Sequence, residues 1–146
     1  MPAADNDVTT VVLEQHKQVV KQLDAVRIAT GSARADEFDS LAAMLDVHET
    51  AEETVIYPAL RKLGDEGTRV ADNRTHEEDA AKEILTKLKG LDTGSQDFEV
   101  LFGEFSSKVH AHAASEESEV IPLLTSSVFP EERQAMGDAF LASQHS

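Results

Sequence analysis

The chain has 146 residues and contains no cysteine. Disulfides, thiolate zinc sites, cysteine-ligated iron–sulfur clusters and cysteine nucleophiles are therefore excluded, and any metal must be held by histidine, aspartate or glutamate. No apolar run approaches the roughly 18 residues that a membrane span requires. The first ten residues, MPAADNDVTT, also lack the basic segment and apolar run of a signal peptide. The default expectation is a cytoplasmic protein.

Basic residues are few, with 13 lysines and arginines against 28 aspartates and glutamates, which gives a formal net charge of −15. An acidic surface of this kind is repelled by nucleic acid and by anionic membranes, so neither is expected as a partner. The length suits one compact domain over residues 1–146. Some of the carboxylates could instead bind cations, and the overall charge does not separate these two uses.

Strand-like alternation is also missing, whereas helical periodicity recurs. We predict four long helices, at about 8–28, 36–63, 69–89 and 96–125. A short fifth helix is expected at about 130–142, because Pro130 suits a first helical turn. Short connections between long amphipathic helices favour antiparallel neighbours. The sequence thus predicts an all-α fold, an antiparallel up-down-up-down four-helix bundle with its core at about 8–125.

Two segments repeat one pattern, in which a histidine is followed by a glutamate after four residues and by a proline after ten. They comprise His48, Glu52 and Pro58 in the second helix, and His112, Glu116 and Pro122 in the fourth. Each follows a helix with a single central histidine, His16 or His76. Positions i and i+4 share a helix face, and these residues share a stripe with apolar side chains. These four histidines and two glutamates are therefore all expected at or near the core.

An unpaired buried carboxylate costs several kcal/mol, and no lysine or arginine lies on the stripes of Glu52 and Glu116. Bound cations would offset this cost and would use the neutral imidazoles as ligands. Mixed imidazole and carboxylate ligands suit iron, manganese or zinc, and two glutamates able to bridge favour two ions over one. The remaining alternative is a bundle without metal.

With this pattern the chain resembles the hemerythrin-like family, also called HHE cation-binding domains. The matching segments are EQHKQV, HETAEETVIYP, THEED and HAASEESEVIP, within about residues 8–125. The resemblance implies a non-haem diiron centre of two iron ions with an oxo or hydroxo bridge. It also implies that the glutamates bridge the irons and the histidines supply nitrogen ligands. The implied metal ligands are His16, His48, Glu52, His76, His112 and Glu116.

The family resemblance also implies small-molecule chemistry with O2, H2O2 or NO. Oxygen-carrying hemerythrins have a second histidine one turn after the third-helix ligand, and here Ala80 stands at that position. This difference favours direct reaction with peroxide, with catalase-like decomposition as the candidate activity. Two alternatives stay open: a module that senses or binds oxygen, iron or nitric oxide without turnover, and an iron storage or donor protein. No side chain is expected to act as a separate general acid or base.

Glu49 and Tyr57 are weaker candidates for the site. Glu49 follows His48 by about 100° around the helix and could be either a solvated residue or an extra ligand. Tyr57 lies about 180° from His48 on an ideal helix, which predicts packing outside the site. A kink at Pro58 would be needed to turn its hydroxyl toward the metal.

Overall fold

The computed structural model describes residues 6–145, and within them every regular element is a helix and none is a strand. The α-helices are α1 Val8–Ile28, α2 Gly31–Ala51, α3 Tyr57–Arg61, α4 Asp65–Lys89, α5 Gln96–Ser115, α6 Ile121–Ser127 and α7 Pro130–Ser143. Two π-helical turns, Glu52–Ile56 and Glu116–Val120, join α2 to α3 and α5 to α6. Four continuous rods result and form the predicted bundle, with α7 as the fifth helix. No described helix is both long and apolar enough to cross a membrane.

Each π-turn starts at the glutamate of the repeated pattern. The backbone N–H of Tyr57 donates to the carbonyl of Glu52, and that of Ile121 donates to the carbonyl of Glu116, five residues back in both cases. The proline that follows has no N–H and cannot donate to the residue four before it. The wider turn lets the helix continue past the proline, so each rod is interrupted by only one widened turn.

The apolar core consists of two clusters. One lies toward the start of α1 and includes Val12, Ile56, Leu60 and Leu124. The other lies toward the end of α1 and includes Leu23, Leu41, Phe98 and Phe105. His16 stands on α1 between Val12 of the first cluster and Val19 of the second. The polar residues therefore form a layer across the middle of the bundle.

Helix α7 closes the bundle beside the start of α1. Phe140 is fully buried, and its ring centroid lies 5.7 Å from that of His48. Arg133 Nε donates to Asp7 Oδ2 at 2.8 Å. Gly137 packs against the backbone of Asn6 so closely that a Cβ atom there would collide with the Asn6 carbonyl. The close approach lets α7 lie against the residues that precede α1.

Candidate metal centre

Six polar or charged side chains are buried among the described residues. They are His16, His48, Glu52, Arg74, Glu78 and Glu116. Three of them are carboxylates, with exposures of 0% for Glu52, 2% for Glu78 and 1% for Glu116. Carboxylates so far from water require hydrogen bonds and positive charge around them.

Five of these six side chains, together with His112, form two groups whose potential ligand atoms lie within 4.8 Å of one another. The first group is His16, His48, Glu52 and Glu116, and the second is Glu52, Glu78, His112 and Glu116. Both groups contain the same two glutamates. Because Glu52 and Glu116 begin the two π-turns, each half of the sequence repeat contributes one shared carboxylate.

Five of the six predicted ligands thus lie together, and His76 does not. His76 is exposed, and the buried positions of α4 run Gly67, Val70, Ala71, Arg74, Glu78, Ala81 and Leu88. His76 lies two positions from Glu78, which turns it about 200° around the helix. This placement corrects the expectation that His76 points toward the core.

Glu78 is the residue that sequence reasoning missed. Its signal was the three-and-four spacing of Val70, Ala81 and Leu88, which continues through position 78. Two charged residues, Arg74 and Glu78, occupy the middle of that stripe and hide its apolar character. A preference for histidine as a metal ligand favours His76 instead, which lies on the other face of the helix.

The three histidines of the groups point Nε2 toward the carboxylates. His16 Nε2 lies 2.9 Å from Glu116 Oε1, and His48 Nε2 lies 3.4 Å from Glu52 Oε2. His112 Nε2 lies 3.3 Å from Glu78 Oε2 and 3.6 Å from Glu116 Oε2. The inner nitrogens and the carboxylate oxygens therefore converge on one region.

The opposite ring nitrogen, Nδ1, meets an acceptor in every case. The pairs are His16 with Glu117 at 2.9 Å, His48 with Gln15 at 2.7 Å, and His112 with Glu77 at 2.8 Å. An acceptor at Nδ1 favours the tautomer that carries its proton there, which leaves a lone pair on Nε2 of the neutral ring. Metal-ligating histidines are usually oriented in this way.

Tyr57 lies inside the site and not outside it. Its hydroxyl donates to Glu78 Oε2 at 2.7 Å and to Glu116 Oε2 at 3.2 Å. The prediction of packing away from the site assumed an ideal α-helix, whereas the π-turn changes the phase between His48 and Tyr57. Burial and the neighbouring charge of Glu52 raise the Tyr57 pKa above its usual value, so the hydroxyl keeps its proton and stays a donor.

Glu49 belongs to neither group, although it lies beside them. Its side chain is half-buried, and its Oε2 is enclosed without a hydrogen bond to any described residue. Burial and the charge of Glu78 raise the Glu49 pKa to about 8. Its carboxyl group lines a cavity next to the two groups.

The metal-free centre holds protons tightly on its histidines. Burial opposes a charge on His48, but the attraction of Glu52 contributes to raising the His48 pKa to about 9. Burial likewise opposes a charge on His112, but the nearby carboxylates of Glu52 and Glu78 help raise its pKa to about 12. Burial and the charge of Glu52 raise the Glu116 pKa to about 7. The centre thus attracts positive charge, which a cation could supply in place of protons.

The pattern of unsatisfied atoms fits a cation. Most buried polar atoms in proteins have hydrogen-bond partners. Within residues 6–145, the buried atoms that have none include His48 Nε2, His112 Nε2, both carboxylate oxygens of Glu52, and Glu78 Oε1. All of these residues belong to the two groups. Imidazole nitrogens and carboxylate oxygens are suitable ligands for a divalent or trivalent first-row metal.

A family model and a curated protein resemble this chain in sequence. The family model "Hemerythrin HHE cation binding domain" matches residues 7–124. An uncharacterized hemerythrin-like protein of Schizosaccharomyces pombe is 25% identical over 135 residues, which are 91% of this chain and 66% of that protein. The chain thus spans just under two thirds of the length of this curated relative.

A solved structure has the same fold. It is a crystal structure of a hemerythrin HHE cation binding domain-containing protein from Mycobacterium kansasii, with a TM-score of 0.85 and 23% sequence identity. The match covers 99% of this chain and 86% of that chain. At this identity the likeness demonstrates the shared helical bundle.

Proposed function

Because the chain belongs to the hemerythrin HHE cation-binding domain family, we propose that it binds two iron ions in its buried histidine–glutamate layer. We further propose that this non-haem centre reacts with hydrogen peroxide or dioxygen. The observation that carries the proposal is the pair of ligand groups that share Glu52 and Glu116. Because each of these glutamates belongs to both four-ligand groups, it would serve both ions, and the two groups would form one dinuclear centre.

The protein's own groups would hold the ions and limit what reaches them. His16 and His48 would bind one ion, and His112 with Glu78 would bind the other. Gln15, Glu77 and Glu117 would fix the imidazole rings through Nδ1. Iron, when bound, would supply the redox chemistry. The Tyr57 hydroxyl would hold a proton beside the second ion's carboxylates.

Space beside the centre favours very small molecules. A cavity lined by His16, His48, Glu78 and His112 has a free volume of about 40 Å³. One water needs roughly 10–15 Å³ on the same basis, so the cavity suits a molecule of a few atoms. Much of its wall is apolar and includes Leu45, Leu85 and Val109. Dioxygen, hydrogen peroxide and nitric oxide are all of this size.

Peroxide decomposition needs no further reactant. Two hydrogen peroxide molecules yield two waters and one dioxygen, so one molecule is reduced and the other is oxidised. The reaction would require a centre that exchanges electrons with both and a site that excludes larger reductants. A catalase-like activity is therefore the specific reaction that we propose.

The test combines metal analysis with peroxide turnover. Protein expressed with ample iron should hold about two irons per chain and should release dioxygen from peroxide. Glu116→Ala should lose both properties, because Glu116 belongs to both groups, while His76→Ala should keep both. Protein without iron would refute the proposal. Iron-loaded protein that binds oxygen reversibly without peroxide turnover would instead identify a binding or sensing module.

A further inference from the structure

The cavity beside the centre is surrounded by four seams between neighbouring rods. Side chains from α1, α2, α4 and α5 line it. Outer grooves that share wall residues with it lie along three seams, α1–α2, α1–α5 and α2–α4. A small molecule that enters from solvent would pass between two rods at one of these seams. The polar contacts across each seam indicate which one opens most easily.

Three seams are crossed by contacts anchored to a histidine of the centre. Gln15 and Gln144, which also bond to each other, close the α1–α2 seam over His48 Nδ1. Glu117 closes the α1–α5 seam over His16 Nδ1 at 2.9 Å. At the α4–α5 seam Glu77 contacts His112 and is itself held by the buried Arg74. Opening any of these seams would release an imidazole ring of the centre.

The α2–α4 seam is different. It is crossed by an ion pair between Lys82 Nζ and Glu53 Oε1 at 3.2 Å, and these side chains are 44% and 47% exposed. Neither residue belongs to the ligand groups or contacts their histidines in the described structure. An exposed pair of this kind contributes little to stability, and its side chains change rotamer rapidly.

The α2–α4 groove shares three residues with the cavity, and the α1–α5 groove shares four, so the polar contacts across each seam distinguish the two. Glu49, Lys82 and Leu85 line both the cavity and the outer groove between α2 and α4. Glu49 also has its enclosed oxygen without a hydrogen bond to the described residues, so it can accept one from a polar molecule that passes. Lys82 thus stands over a passage with a polar contact point inside it.

We propose that small molecules reach the centre through the α2–α4 seam, and that Lys82 is the gate. The passage opens when the Lys82 side chain leaves Glu53, and the incoming molecule then moves past Glu49 and Leu85. This inference rests on the proposed function, because it assumes a metal centre that receives a small molecule from solvent. It assigns Lys82 a role in access and no role in the chemistry.

The test measures how fast nitric oxide binds to the reduced, iron-loaded protein in a stopped-flow experiment. Lys82→Ala should raise the association rate about threefold, and Ala42→Phe in the outer α2–α4 groove should lower it about tenfold. The matched controls lie in the α1–α5 groove, namely Lys17→Ala and Ala114→Phe. Both should stay within about twofold of the unmodified protein.

The outcomes separate this route from the proposed function. Iron content is measured first for every variant. Iron-loaded variants with unchanged rates at Lys82 and Ala42 would overturn the route alone, and so would a control that slows binding as strongly as Ala42→Phe. If Ala42→Phe fails to fold, the comparison of Lys82→Ala with Lys17→Ala still decides. Unmodified protein that holds no iron would overturn the proposed function, and the route with it.

Discussion

At the scale of single residues, the centre depends on three carboxylates that have almost no access to water. Glu52, Glu78 and Glu116 are each at most 2% exposed. The nearest positive partners are imidazoles, whose protons a cation can replace. A residue in this layer therefore matters for the charge and lone pairs that it places there, and less for the volume that it fills.

Glu78 and His76 provide the sharpest comparison. We expect Glu78→Ala to remove about one of two bound irons per chain, because its carboxylate belongs to the second group alone. His76→Ala should retain both irons, since His76 is exposed on the opposite face of α4. Metal analysis after desalting measures both variants. Loss of iron in His76→Ala, with Glu78→Ala unaffected, would reverse the assignment.

The acceptors at Nδ1 should influence affinity without binding metal themselves. We expect Glu77→Ala to weaken iron binding about 10–100-fold, because His112 then loses the partner that orients its ring. Glu83→Ala, an exposed glutamate on the same helix, is the control and should leave affinity unchanged. Competition with a chelator measures the difference. Equal affinities for the two variants would mean that the Glu77 contact does not tune the site.

At the scale of residues, the repeated histidine–glutamate pairs can be predicted from the sequence, but the residues that contact them cannot. His48–Glu52 and His112–Glu116 are visible because spacing and repetition coincide. Gln15 and Glu77 carry no such signal, since their roles depend on which rods become neighbours. Tyr57 was assigned to the wrong side because a sequence pattern assumes 3.6 residues per turn, and the chain has a π-turn just before it.

At the scale of elements, the bounds of a helix can be predicted from the sequence where its capping residue is evident. The start and end predicted for α1 agree with Val8–Ile28, and Asp7 caps it by accepting from Thr9 N at 3.0 Å. The start of α4 was placed near Arg69, whereas it lies at Asp65. Gly67 lies inside α4, where a Cβ atom would collide with the Leu60 carbonyl. Tertiary packing therefore explains this glycine.

Helix α7 should support the site by packing. We expect Phe140→Ala to lower the free energy of unfolding by about 3–5 kcal/mol, because a fully buried ring beside His48 leaves a cavity. Phe129→Ala is the matched control, since that ring is 77% exposed, and its effect should stay within about 0.5 kcal/mol. Urea unfolding measures both. Similar losses in the two variants would show that α7 does not pack as described.

At the scale of the whole molecule, the bundle is two apolar clusters separated by one polar layer. The stability of the fold therefore depends on the protons or metal ions that this layer holds. Because of the charges around the layer, the metal-free protein should lose stability as the pH rises, whereas the stabilisation by bound metal should grow. Both effects can be measured on the intact chain.

The metal-free protein should become less stable between about pH 6.5 and pH 9. The pKa of His48 is about 9 in the folded state against an ordinary 6.5, so the folded protein keeps a proton that the unfolded chain releases. The resulting stability is complete below pH 6.5 and is lost as the pH rises toward 9, with a slope on the order of 1 kcal/mol per pH unit. The raised pKa of His112 acts in the same direction.

Bound metal should reverse this trend, because the ligands must release their protons to bind it. The gain in melting temperature on adding iron should therefore increase over the same interval. Thermal melts at pH 6.5 and pH 8.5, with and without metal, measure both effects. A metal-free protein that gains stability with rising pH would contradict the charge distribution described for the centre.

The most direct test of the central claim is anomalous diffraction at the iron edge from crystals of iron-loaded protein. We expect two peaks, both within ligand distance of Glu52 and Glu116, one beside His16 and His48 and the other beside His112 and Glu78. A single peak, a peak beside His76, or two glutamates without any metal between them would contradict this expectation.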